Sequence, residues 1–217
     1  MKKDSLEYFN NHLIDALNHY PNLRGVLDEN GEPYIRGILD IPNDNREVVG
    51  HFLIEIKCSF RYPFRFPHLF EVGGEIPNVS DRHKYPNSKC CITVEADEIL
   101  QCKHGITLVR FISEFAIPYF ANQIYYNLTG RYRNGEYSHG EHGIIQYYRS
   151  LMKTSDRNLW LTYIKYAFKA QKVPCGRNDI CFCGGELKYK CCHLKVFETL
   201  VKIGESQVLK DIKIRIE

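Results

Sequence analysis

Near the start of the chain, Leu6, Phe9, Leu13, Leu17 and Tyr20 recur at helical spacing. Ser5 is the expected N-cap of that helix and Pro21-Asn22 its stop. The period then changes to two. Residues 24–28, 33–41 and 50–60 read as strands, separated by the turn signals Asn30-Gly31 and Pro42-Asn43-Asp44. In the third strand Phe52, Ile54 and Ile56 alternate with Leu53, Glu55 and Lys57, the pattern of a half-buried sheet. A fourth extended run covers 64–72, with Pro63 and Pro67 confining its first half to a sheet edge or to polyproline geometry.

Residues 73–100 lack sustained periodicity and are rich in Pro, Asn, Asp and His. They predict a long ordered loop over the sheet, and loops of that length inside a compact domain usually carry function. Helical spacing resumes at Thr107 through Leu108, Phe111, Ile112, Phe115 and Phe120, with the stripe Phe111, Phe115, Tyr119, Phe120 read as core. A Tyr-rich connection over 125–143, ending in a tight turn at 135–143, precedes helices over 144–153 and 158–171. Lys172-Val173-Pro174 marks a linker, and a short helix is expected from Leu194. The fold class is α+β, divided as 1–153 for a main domain, 154–172 for a helical connector and 173–217 for a small C-terminal module.

An apolar content of 44% in 217 residues supports one ordinary core plus an appendage. The net charge of +3 is too weak to imply nucleic acid as a partner. No stretch approaches the roughly eighteen apolar residues of a membrane span, and Met1-Lys2-Lys3-Asp4-Ser5 does not open an export signal. Nine cysteines without such a signal point to a reducing cytoplasm, where thiols serve metals or catalysis.

Cys181-Phe182-Cys183, then eight residues, then Cys192-His193, supplies two pairs of ligands able to close a tetrahedron around Zn²⁺. Gly184 and Gly185 follow the first pair, where the backbone must curl and aim N–H groups at sulfur. The run Gly176-Arg177-Asn178-Asp179-Ile180-Cys181-Phe182-Cys183-Gly184-Gly185 resembles the SEC-C motif, a small zinc-binding module on many otherwise unrelated bacterial proteins. The resemblance implies Cys181, Cys183, Cys192 and His193 as ligands, leaves Cys191 spare and makes Cys175 a weaker candidate.

The order helix, four-strand meander, long loop, helices is that of the ubiquitin-conjugating fold. Tyr62-Pro63-Phe64-Arg65-Phe66-Pro67 resembles that family's Tyr-Pro-Phe-x-x-Pro signature. Gly74-Glu75-Ile76-Pro77, Asp81-Arg82-His83 and Cys90-Cys91-Ile92 follow in the order of its bacterial branch. The resemblance implies a cysteine that takes a protein C-terminus as a thioester and yields it to an amine, chemistry that suits a thiolate as both nucleophile and leaving group. It implies Cys91 as nucleophile, with Cys90 and Cys102 as alternatives.

The family's His-Pro-Asn triplet is absent as such. By the bacterial pattern His83 becomes the polar partner, either donating to the oxyanion or bracing the loop, with Asn78 and Asn87 as further candidates. Arg82 reads as a bracing or solvated charge. The resemblance also implies a setting: stand-alone proteins of this kind in CBASS anti-phage operons, whose partner is a cyclic GMP–AMP synthase-like nucleotidyltransferase, with or without a separate activating enzyme. A competing expectation is an inactive conjugating-fold scaffold whose basic zinc module recruits protein or nucleic acid through Lys165, Lys169, Lys172, Arg177, Lys188 and Lys190. A weaker one is thiol-redox chemistry at Cys90-Cys91, which disulfide geometry disfavours.

Overall fold

The computed structural model describes residues 2–133, 140–169 and 173–213. The expected turn at 135–143 lies largely outside them, as does Lys172. Within the described residues the chain forms two compact units. One comprises Met1–Thr93 with Gln101–Glu136, the other Val94–Leu100 with Tyr137–Glu217. The partition therefore differs from the expected boundary at 153, because the helix ending at Met152 buries Tyr148 and Met152 in the core of the second unit.

The first unit is α+β. Helix α1 (Lys2–His19) precedes β1 (Leu23–Leu27), β2 (Pro33–Pro42), β3 (Val48–Lys57) and β4 (His68–Glu71), an antiparallel meander in the order β1-β2-β3-β4. Ser5 is not a cap: α1 begins before it, and its buried hydroxyl donates to the Phe60 carbonyl at 2.9 Å. The β1–β2 turn closes with Asp28 Oδ1 accepting the Asn30 and Glu32 N–H groups, and Gly31 at φ 75°. Asn43 plays the same part between β2 and β3, accepting from Asn45 and Glu47. The fourth strand is shorter than expected, since the proline-bounded stretch before it folds into turns such as Phe64 N–H to Arg61 C=O.

The expected apolar face of β3 is present, but Glu55 on the opposite face is buried as well, paired with Arg36 and Lys57. Phe52, Ile54 and Ile56 are buried, with Phe52 stacked on Phe120 at 4.4 Å. Each such side chain contributes about 1.5–3 kcal/mol of burial. A second helical layer comes from α3 (Leu108–Phe111), a π-helical turn (Ile112–Ala116) and α4 (Ile117–Thr129). Helical dihedrals continue across all three. Thr107 caps the start, accepting from the Arg110 N–H, and Gly130 at φ 72° ends it. Pro118 lacks the N–H that an unbroken ladder would need, and the π turn sits just before it.

In the loop expected over 73–100, the structure adds α2 (Glu95–Gln101). The second unit contains α5 (Gly140–Met152), α6 (Arg157–Phe168), α7 (Leu194–Ile203) and α8 (Glu205–Lys213). One C-terminal helix was expected and two are present, separated by Gly204 at φ 96°. Asp156 caps α6 by accepting from Asn158. Tyr148, Trp160, Tyr163, Leu200 and Val208 form the core, and the Tyr148 hydroxyl donates to buried Asp211 at 2.9 Å.

One ion pair of the first unit lies wholly in its interior. Glu71 at the end of β4 and Lys84 beyond the loop are both out of water, and the Lys84 ammonium also donates to the Ile76 carbonyl at 2.8 Å. Lys84→Ala leaves a buried carboxylate unpaired, so a loss of about 3–5 kcal/mol is expected in denaturant unfolding. The double substitution Glu71→Leu with Lys84→Met should recover most of that loss.

Candidate functional site

The loop after β4 returns to the sheet and covers its open edge. The Cys90 N–H donates to the Leu69 carbonyl at 2.8 Å, and the Glu71 N–H to the Ser88 carbonyl at 3.1 Å. Phe70 pairs with Lys89, and Lys84 with Cys90, both antiparallel. A small hairpin over 84–90 is thereby laid along an edge strand. Its turn is Tyr85-Pro86-Asn87-Ser88, closed by Tyr85 N–H to Lys89 C=O and Ser88 N–H to Tyr85 C=O.

Alternation along this hairpin separates the two neighbouring thiols. Lys84 and Cys90 face inward and are buried, whereas Tyr85 is half exposed and Cys91 half buried. Burial, with Tyr119 and Lys84 pulling the other way, pushes the Cys90 thiol up to about 12 and leaves it inert as a nucleophile at neutral pH. Cys102 is completely buried. Among the three candidate thiols, only Cys91 combines a place on the loop with access to solvent.

His83 stands directly across from Cys91. It adopts a left-handed conformation (φ 48°), and its carbonyl accepts the Cys91 N–H at 2.8 Å. The Tyr119 hydroxyl donates to the same carbonyl at 3.1 Å, and the imidazole packs edge-on against Tyr132 at 5.4 Å. His83 and Cys91 are thus brought together through the backbone. Of the two asparagine alternatives, Asn78 gives its amide to the Pro86 carbonyl and the Ser88 hydroxyl, while Asn87 accepts the Lys89 N–H through its side-chain oxygen.

Arg82 is a bracing charge. It donates to Gln123 at 2.9 Å and Asn127 at 2.6 Å, and its guanidinium lies 4.5 Å from the Tyr126 ring centre. Tyr85 was overlooked in the sequence. Its hydroxyl donates to the Cys91 sulfur at 3.8 Å. The available signal was its place in a proline turn ahead of the thiol pair, which hairpin pairing turns into proximity.

In the second unit Cys181, Cys183, Cys192 and His193 converge, their ligand atoms all within 4.8 Å of one another. Cys181 Sγ and Cys192 Sγ lie 3.4 and 3.2 Å from His193 Nδ1, and Cys183 Sγ lies 3.7 Å from Cys192 Sγ. Such edges suit a tetrahedral ion with bonds of about 2.0–2.3 Å. Cys191 is exposed and Cys175 half buried, and neither belongs to the group.

The knuckle is built by its turns. Asp179 accepts from the Gly176 N–H at 2.7 Å, the Cys181 N–H donates to the Leu187 carbonyl at 2.9 Å, and Gly184 sits at φ 80°. At Cys183, burial would raise the thiol, but the Gly185 N–H and the neighbouring sulfurs outweigh it and hold it below its ordinary value. Burial first, then hydrogen bonding with Cys183 and Cys181, pushes Cys192 up to about 12. Three thiols this close ionise together only with a cation among them, so the donor set fits a metal ion. Tyr163, Phe182 and Phe197 pack around His193 with ring centres 4.8–6.4 Å away.

Comparison with protein-family models, curated proteins and solved structures finds no match for this chain. Among the described residues, no helix is long and apolar enough to cross a membrane.

Cys183→Ser should abolish bound metal in elemental analysis and raise hydrogen exchange across 173–204, while Cys191→Ser keeps metal at parent stoichiometry. Retention by Cys192→Ser alongside loss by Cys191→Ser would shift the ligand set by one residue.

Proposed function

We propose that this chain is a cysteine-dependent acyltransferase of the ubiquitin-conjugating kind, with Cys91 as nucleophile and a structural Zn²⁺ held by Cys181, Cys183, Cys192 and His193. The observation that carries the reading is the sorting of the thiols: a hairpin fixed to the edge of a helix-backed meander buries Cys90 and turns Cys91 toward solvent. Three sulfurs and one imidazole nitrogen are the donor set of a closed zinc site, which stabilises the fold and leaves no coordination position for substrate.

In the proposed reaction the Cys91 thiolate attacks the carbonyl carbon of an acyl thioester on a carrier protein. The C–S bond to Cys91 forms as the π pair moves to oxygen, and collapse expels the carrier's thiolate. An amine then attacks the new thioester, forms the C–N bond and gives a proton to water, and the C–S pair returns to Cys91. The resemblance of the loop motifs supplies the setting: the acyl group is the C-terminus of a cyclic GMP–AMP synthase-like nucleotidyltransferase, in cytoplasmic anti-phage defence. His83 is assigned as the residue that holds Cys91 in register, through its carbonyl and its packing on Tyr132.

Cys91→Ala should abolish a thiol-sensitive adduct with the nucleotidyltransferase whose C-terminus is transferred, and Cys91→Ser should replace it with one that survives thiols, read on non-reducing gels. A thiol-sensitive adduct that persists in Cys91→Ala would displace the nucleophile.

His83→Gly removes the ring yet suits the left-handed backbone. It should lower the melting temperature and slow transfer less than about tenfold, well short of the 10²–10³-fold cost of losing an oxyanion donor. A hundredfold loss with parent-like melting would make the imidazole itself that donor. If all Cys91 and His83 variants stay active while truncation of 173–217 abolishes function, the scaffold reading prevails. It would draw on Arg177, Lys188 and Lys190, which are exposed and form no ion pair among the described residues.

A further inference from the structure

We propose that Tyr85 is a catalytic residue of the Cys91 site, its phenol donating to the Cys91 sulfur before attack and to the acyl oxygen in the tetrahedral intermediate. This rests on Cys91 being the nucleophile.

The family's His-Pro-Asn triplet is missing, and two nearby donors are already committed. The Cys91 N–H is given to His83, and the Asn78 amide to Pro86 and Ser88. The Tyr85 hydroxyl is the side-chain donor the structure records on the Cys91 sulfur, at 3.8 Å. Its aim is set by backbone: Tyr85 gives its N–H to Lys89 and accepts from Ser88, in a turn that Asn78 ties down from outside. Hairpin pairing puts residues 85 and 91 on one face, as diagonal neighbours within reach of a long aromatic side chain.

The ring is 50% exposed, so an acyl group can approach alongside it. The Cys91 sulfur beside it, and then burial, push the Tyr85 phenol up to about 12, so it keeps its proton to donate at neutral pH. In the tetrahedral adduct the oxyanion is two bonds from the sulfur, and a small rotation of the phenol carries its hydrogen bond from one to the other. On aminolysis the C–S pair returns to Cys91 as thiolate, the amine proton goes to water, and Tyr85 again donates to sulfur. The phenol ends each cycle with the proton it began with.

The test uses the full chain and a peptide ending in Gly-Gly, presented as its 2-mercaptoethanesulfonate thioester, with free lysine as acceptor. Tyr85→Phe keeps the ring and removes the donor. Thioester formation and discharge to lysine should each fall about tenfold to a hundredfold, below the full cost of a buried oxyanion donor because water reaches the site. Iodoacetamide alkylation of Cys91, which builds no oxyanion, should change less than about threefold, and melting should match the parent. Parent-level transfer in Tyr85→Phe, with transfer abolished in Cys91→Ala, overturns the role of Tyr85 and leaves the nucleophile standing. Equal loss of transfer and alkylation together with lowered melting also overturns it, by making Tyr85 structural. Transfer that survives Cys91→Ala overturns the nucleophile itself.

Discussion

The candidate active loop depends on one buried ion pair. Glu71 ends β4, Lys84 opens the hairpin, and neither side chain touches water. Taking two charges out of solvent is costly, and such pairs often stabilise less than an apolar replacement would. What this pair does is restrict the alternatives. The Glu71 carboxylate also takes the Ile76 N–H at 3.4 Å, and Lys84 also reaches the Ile76 carbonyl, so the strand end, the mid-loop and the hairpin share one set of polar contacts. Moving the hairpin by one residue would bring Lys84 to the surface, leave Glu71 unpaired and turn Cys90 outward in place of Cys91. A charge pair poor as a source of stability is well suited to fixing register.

That constraint explains how two adjacent cysteines acquire opposite characters. Chemically they are identical, and the difference lies in strand alternation. Cys90 falls on the face that Lys84 occupies and is buried, while Cys91 falls on the face of Tyr85. Tyr119, Gln123 and Asn127 complete the arrangement from α4 through Arg82 of the loop. Gln123 and Tyr119 donate to the Arg82 carbonyl, and the Arg82 side chain returns to Gln123 and Asn127. The loop is therefore clamped by the sheet on one side and by a helix on the other.

The legible parts of the sequence were those with a strong period or a dense motif. Alternation in β3, the helix through Leu108 and Phe120, and the four-ligand cluster could be read because each rests on local spacing. The illegible parts depend on distant partners. Ser5 has the chemistry of a cap, but it is taken by the Phe60 carbonyl far along the chain. Helix α2 is short, and Ala96 is its one buried residue, too little to show as periodicity. The boundary at 153 followed the end of the helix read over 144–153. What assigns α5 to the second unit is the burial of Tyr148 and Met152 with residues near the C-terminus, such as Val208 and Asp211. Lys84 carries no signal in the sequence, since nothing local announces that a carboxylate thirteen residues earlier will be buried with it.

The two sites answer opposite physical demands. The cluster gathers three sulfurs and an imidazole, with Cys181, Cys192 and His193 buried and Cys183 exposed, and Tyr163, Phe182 and Phe197 pack around His193. A metal there contributes stability in proportion to how poorly the same ligands tolerate one another without it. In the proposed reaction the Cys91 site stays open, because its sulfur has to meet an acyl carbon and later an amine. Its order comes from backbone hydrogen bonds together with the buried Glu71–Lys84 pair and the Arg82 contacts, which leave Cys91 and Tyr85 partly exposed. On the proposed reading, sulfur that holds a metal ion serves structure, whereas sulfur on a pinned but open hairpin serves transfer. The same element would then serve both, with burial and coordination deciding between them.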